Sequence, residues 1–157
     1  AAAGAAHVTA VDVSAFALEL AAENGRKNGL TNLDYKCADV FDLLTEMANE
    51  KKCDYDYIIL DPPAFTKSRA TAKNAYNGYK EINRKAMRLL PRGGYLATCS
   101  CSHFMPSELF TKMLLSAAAD AGVQLKQIEA RQQCRDHPVL LSVPETDYLK
   151  FYIFQVV

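Results

Sequence analysis

No apolar run in this 157-residue chain approaches the roughly 20 residues a helix needs to cross a bilayer. The alanine-rich start has neither the basic flank nor the long apolar core of a secretory leader. A protein of the cytoplasm, with no membrane partner, is the resulting expectation. No CxxC pair and no His/Cys cluster has the spacing of a tetrahedral metal site. The cysteines (37, 53, 99, 101 and 134) are odd in number and scattered. No metal and a reducing compartment are therefore expected. Net charge is absent as well, with 18 basic against 18 acidic side chains, which argues against coating nucleic acid by charge alone. There is no repeat, long linker or low-complexity tract, so residues 1–157 read as one domain. Nor is there an initiator methionine. AAAGAA reads as the end of a helix whose start is missing, and the chain as a fragment truncated at its N-terminus.

What is present is ample apolar material, half of all residues, and an uneven distribution of charge. Residues 66–92 hold Lys67, Arg69, Lys73, Lys80, Arg84, Lys85, Arg88 and Arg92 against Glu81 alone. Lys80, Arg84 and Arg88 recur every four residues, which suits either a solvated helix face or a surface for phosphates.

The pattern of segments is βα repeated. HVTAVDV reads as a short strand, and Ser14 as the N-cap of a helix that closes near Gly25 or Gly29, with Phe16, Leu20 and Ala21 at helical spacing. LDYKCADV is a second strand and FDLLTEMANE an amphipathic helix. YDYIILD reads as a continuous apolar strand suited to the middle of a parallel sheet, stopped by Pro62 and Pro63. A helix over AYNGYKEINRKAMRLL, a strand over GGYLATCSCS and a helix from Pro106 to about residue 121 follow. VQLKQIEARQ and YLKFYIFQVV supply the last two strands. The expected fold is α/β, a three-layer, doubly wound, mostly parallel sheet of Rossmann-like type.

In such sheets ligands bind beyond the carboxyl ends of the strands. Asp12, Asp39 and Asp61 close three successive strands and Cys101 the next. A carboxylate there can accept both hydroxyls of a ribose, which suits Asp12. Asp39 can meet an adenine amino group while Val40 and Phe41 give the ring apolar contact. Each aspartate also suits a helix N-cap or a turn. LDPPAF is more specific: two prolines remove two donors and hold Leu60, Asp61 and Pro62 toward extended geometry. That makes a rigid floor for the polar edge of a planar base, with Phe65 available for stacking.

VDVS, ADVF, DPPAF and GGYLATCSCS together resemble the core of class I S-adenosylmethionine-dependent methyltransferases. More narrowly, DPPAFTKS, GYKEIN, SCSH and DHPVLLSVPETDYLK resemble the large-subunit (23S) ribosomal RNA cytosine-5 methyltransferases that carry a PUA domain. The resemblance implies a partial catalytic domain over 1–157, S-adenosylmethionine as cofactor and ribosomal RNA as partner. It implies Asp12, Ser14, Asp39, Val40 and Asp61 toward the cofactor, and Pro62, Pro63, Phe65, Lys67 and Arg69 toward the substrate. It also chooses between two thiols. The second cysteine of the SCS signature maps onto Cys101 as nucleophile, with Asp61 orienting the base, whereas Cys99 is expected to be a small buried hydrophobe. His103, just past the strand, suits the surface better than the catalytic set.

Amino-group methyltransferases place an aromatic directly after the second proline, where Ala64 stands here. DNA cytosine methyltransferases use a Pro-Cys pair, and Pro63 is followed by alanine. Two rivals remain open: methylation of another RNA atom or a small molecule, and a non-catalytic nucleotide-binding domain. The family's glycine-rich first strand, central between the strands ending at Asp12 and Asp61, should precede Ala1. Without it the chain is expected to bind cofactor weakly or not at all, or to close the gap by repacking or with a second copy as a homodimer.

Overall fold

The computed structural model describes residues 1–50, 53–65 and 72–157. They divide into two compact units, Ala1–Glu46 and Met47–Val157.

The first unit is a βαβ turn of chain. Strand β1 (Val8–Asp12) leads through helix α1 (Ala15–Lys27) to β2 (Leu33–Cys37), which pairs with β1 in parallel, Asp12 opposite Cys37. Ser14 is the N-cap as expected: its Oγ accepts the Ala17 N–H at 3.2 Å, one of the donors a helix start leaves unpaired. The face of α1 differs from expectation. Leu18 and Gly25 are its buried residues, while Phe16 and Leu20 are exposed. Gly25 explains the choice, since a Cβ there would lie 2.6 Å from the Tyr35 hydroxyl. The missing side chain is what lets α1 lie close on β2. Residues 1–7 form turns, with the Gly4 N–H donating to the Ala1 carbonyl at 3.1 Å, rather than the helix end that the run of alanines suggests. Helix α2 (Val40–Glu50) follows, capped by Asp39 and buried through Leu43 and Leu44. The boundary between the units falls within it.

The second unit holds β3 (Tyr57–Leu60), α3 (Ala72–Leu89), β4 (Tyr95–Ser100), α4 (Ser107–Ala121), β5 (Leu125–Arg131) and β6 (Lys150–Val156). Its sheet has the order β3–β4–β6–β5. β3 and β4 are parallel, and β6 runs antiparallel to both its neighbours, so it alone is reversed. The α/β fold with a mostly parallel sheet is thus as expected. The place of β3 is not: among the described residues it pairs only with β4, and Tyr57 and Ile59 are exposed rather than sandwiched.

The core of this unit follows from helical periodicity. Ala75, Tyr79, Ile82 and Ala86 of α3 are spaced at 4, 3 and 4 residues and are all buried, one stripe of a 3.6-residue helix. Phe110, Met113, Leu114 and Ala117 form the matching stripe of α4. Tyr79 and Phe110 meet edge to face with centroids 5.8 Å apart. β4, beside β6 in the sheet, is buried from Leu96 to Ser100.

Candidate active site

Parallel strands β3 and β4 end side by side, Leu60 opposite Thr98, so the residues just beyond them gather at one rim of the sheet. Ser100 and Ser102 are buried, and Cys101 between them is exposed. The exposure has a visible support. Ser100 Oγ donates to the Tyr79 hydroxyl at 3.0 Å, and the Ser102 N–H donates back to Ser100 Oγ at 3.3 Å. The Ser102 carbonyl accepts from Lys150 Nζ at 2.6 Å. With both flanking residues tied to the protein, the sulfur of Cys101 is turned outward on a fixed piece of backbone.

Cys99, two residues earlier and deeper in the strand, is buried as expected, but it is not merely apolar filling. Its thiol donates to Asp61 Oδ1 at 3.0 Å and lies 3.5 Å from the Leu60 carbonyl. Burial first, and then the bond to the Asp61 carboxylate, push this thiol far above the ordinary 9.0. Cys99 is thereby locked as a neutral donor that orients one oxygen of Asp61, whose side chain is otherwise exposed. Pro62 and Pro63 follow in a segment without helix or strand. Phe65 packs its ring on Tyr79, with centroids 4.6 Å apart. Part of the surface expected to stack on a base is therefore engaged with α3. Lys67 and Arg69 lie outside the described residues.

In the first unit, Asp12 is the last residue of β1 and Asp39 lies just past the end of β2. Both make the turn bonds that strand-end aspartates make: Asp12 Oδ1 accepts the Ser14 N–H at 2.8 Å, and Asp39 Oδ1 the Phe41 N–H at 2.7 Å. Both are exposed, and each keeps Oδ2 for a further donor. Two carboxylates on adjacent strand ends, with Val40 beside one of them, fit the hydroxyls and amino group of an adenine nucleoside. Capping and nucleoside binding are compatible here, because each role uses a different oxygen.

Two further expectations meet the structure at α3 and β6. The basic stripe of α3 is partly spent on packing: Lys80 pairs with Asp120 at 2.7 Å, and Arg88 donates to the Asp120 carbonyl at 3.2 Å. Lys80, then Arg84 and Arg88, hold the Asp120 carboxyl below its ordinary value. The residue that sequence reasoning missed is Lys150. A lysine inside the apolar run YLKFYIFQVV was the available signal; in the structure it is buried. Among the described residues, no group of three or more His, Cys, Asp or Glu side chains is placed to hold a metal ion. No described helix is long and apolar enough to cross a membrane.

A family model described as a methyltransferase domain matches residues 1–141. The chain belongs to this methyltransferase family. One relative, a ribosomal RNA large subunit methyltransferase I of Shewanella amazonensis, is 46% identical over 156 residues, which are 98% of this chain and 39% of that protein. The chain therefore spans about two fifths of the length of the relatives it matches. Among solved structures, a methyltransferase complexed with SAH superposes with a TM-score of 0.82 at 23% identity, over 98% of this chain and 40% of the other. A SAM-dependent methyltransferase of Streptococcus mutans gives the same TM-score and identity, over 98% and 39%. The methyltransferase family and fold agree with the sequence-based expectation.

Proposed function

We propose that this methyltransferase domain acts within a longer protein on carbon 5 of a cytosine in large-subunit ribosomal RNA, with Cys101 as nucleophile. The observation that carries the reading is the contrast between the two thiols of β4. Cys101 is exposed on a braced backbone beyond the strand end, and Cys99 is buried and held protonated against Asp61. Relatives named as ribosomal RNA large subunit methyltransferases support the substrate class.

Carbon 5 of cytosine is a weak nucleophile until something adds to carbon 6. The Cys101 thiolate forms that carbon–sulfur bond, which moves electron density to carbon 5. Asp61, oriented by Cys99, faces the N3 and amino edge of the ring and exchanges a proton there as the charge shifts. S-adenosylmethionine, when bound, supplies the electrophilic methyl group that carbon 5 takes. The carbon 5 proton then leaves to solvent, the carbon–sulfur bond breaks, and the thiolate and aromatic ring are restored. Asp12, Ser14, Asp39 and Val40 are the residues that would hold the nucleoside of the cofactor. Pro62, Pro63 and Phe65 would floor and flank the base. A base must leave its stack to expose carbon 6, so the substrate segment is single-stranded or opened.

Mass mapping of ribosomal RNA methylated by the intact protein is the test. Cys101→Ala should lose at least about a thousandfold in turnover, in line with loss of a covalent nucleophile. Cys99→Ala should stay within about tenfold, since it removes an orienting bond. Turnover by Cys101→Ala with loss in Cys99→Ala would transfer the nucleophile to Cys99. Turnover by both variants would reject a cysteine adduct altogether.

A further inference from the structure

Lys150 opens β6 opposite Ser100 of β4 and is 7% exposed. Its ammonium donates to two backbone carbonyls, Ser102 at 2.6 Å and Tyr148 at 2.7 Å. These lie on separate segments that leave the sheet at the same rim, one following β4 and one preceding β6. Taking an ammonium out of water is costly, and charge-assisted bonds to carbonyls offset only part of the cost. A methionine or leucine would fill the space without that penalty. The position therefore calls for a role in which the charge itself matters.

The Ser102 carbonyl that takes the shorter of these bonds belongs to the residue directly after Cys101. Lys150 is displaced below its ordinary value by burial first, with Cys101 and then Asp147 as the negative partners that oppose the shift. Among the described residues, Tyr79 from α3 and Cys99 from β4 also interact electrostatically with Cys101. Asp61 from β3 joins them through its bond to Cys99.

We propose that Lys150 is a positioning residue for Cys101: bonded to the Ser102 carbonyl, it braces the backbone that presents the sulfur and sets a fixed positive charge beside the thiolate. The inference rests on Cys101 being the nucleophile. The thiol proton passes to solvent, and the thiolate that remains is stabilised against the ammonium without any change in oxidation state.

Alkylation by iodoacetamide reads this directly, since the thiolate forms a carbon–sulfur bond and releases iodide. The intact protein is alkylated across a pH series, and each cysteine is quantified by peptide mass spectrometry. Lys150→Gln keeps hydrogen-bond donors but loses the charge, and Lys150→Arg keeps both. The Cys101 rate curve of Lys150→Gln should move up by about one pH unit, a tenfold slower reaction at neutral pH. Cys37 and Cys134, exposed elsewhere, should be unchanged, and Lys150→Arg should follow the wild type. In methylation assays Lys150→Gln should lower kcat with KM for RNA held. A Cys101 curve identical in wild type and folded Lys150→Gln overturns the proposal. If the glutamine variant does not fold, Lys150→Arg decides: a retained curve supports the role of charge, and a displaced curve overturns it. Alkylation needs neither RNA nor methyl donor, so this result is separate from failure of the cytosine-5 reading, which turnover by Cys101→Ala would reveal.

Discussion

At the scale of single residues, the two thiols of β4 show how one strand gives the same side chain opposite properties. Cys101 meets solvent; Cys99 is sealed against Leu60 and Asp61. The folded state keeps the Cys99 proton at pH values where the unfolded chain would release it. Its contribution to stability is therefore complete below the ordinary value of 9.0 and declines as pH rises beyond it. Tyr79, raised chiefly by burial, acts in the same sense at slightly higher pH. Lys150, lowered by burial, acts in the opposite sense on approach to 10.5. Urea titrations at about pH 8 and about pH 10 should show wild type losing stability over this interval and Cys99→Ala losing less. Equal losses in the two proteins would mean that Cys99 does not hold its proton against Asp61. The burial of Cys99 follows from its place deeper in the strand than Cys101. Its bond to Asp61 was not legible in the sequence, because the partners are 38 residues apart and meet only through strand register.

At the scale of elements, helix ends follow the sequence wherever the signal is local. Ser14 caps α1, and α4 runs from Ser107 to Ala121, close to the expected range from Pro106 to about residue 121. Gly122 ends α4 in the left-handed region, with φ of 73°, and a Cβ there would meet nothing within 4 Å. Gly122→Ala should then cost about 1 kcal/mol from backbone strain alone, seen as a lower urea midpoint with unchanged slope. A neutral result would show that the helix end relaxes to another turn. The α1 face was misjudged because Phe16 and Leu20 obey helical spacing, yet the face without a Cβ at Gly25 packs more closely on β2. The α3 stripe was left open between solvent and phosphate. Asp120 resolves part of it, since Lys80 and Arg88 reach the C-terminal end of α4, where positive charge also meets the negative end of the helix dipole.

At the scale of the molecule, each unit has its own sheet, and the second owes its cohesion to aromatic contacts between layers. Phe110 of α4 touches Tyr79 of α3 at 5.8 Å and Tyr152 of β6 at 6.1 Å. Phe110→Ala should cost about 3–5 kcal/mol, a large share of the roughly 5–15 kcal/mol that holds a domain together. A loss below about 1 kcal/mol in denaturant unfolding would show that these layers are held elsewhere. The amino-acid sequence by itself determined the alternation of strands and helices and the acids at strand ends. Those features depend on periodicity, turn residues and local capping, all of which act over a few neighbouring positions. Tertiary structure alone decided that β3 is bordered by one described strand, that Cys99 faces Asp61 and that Lys150 is buried beneath Ser102. Each depends on which chain segments become neighbours in the sheet, and Lys150 and Ser102, 48 residues apart, are joined only when β6 pairs with β4.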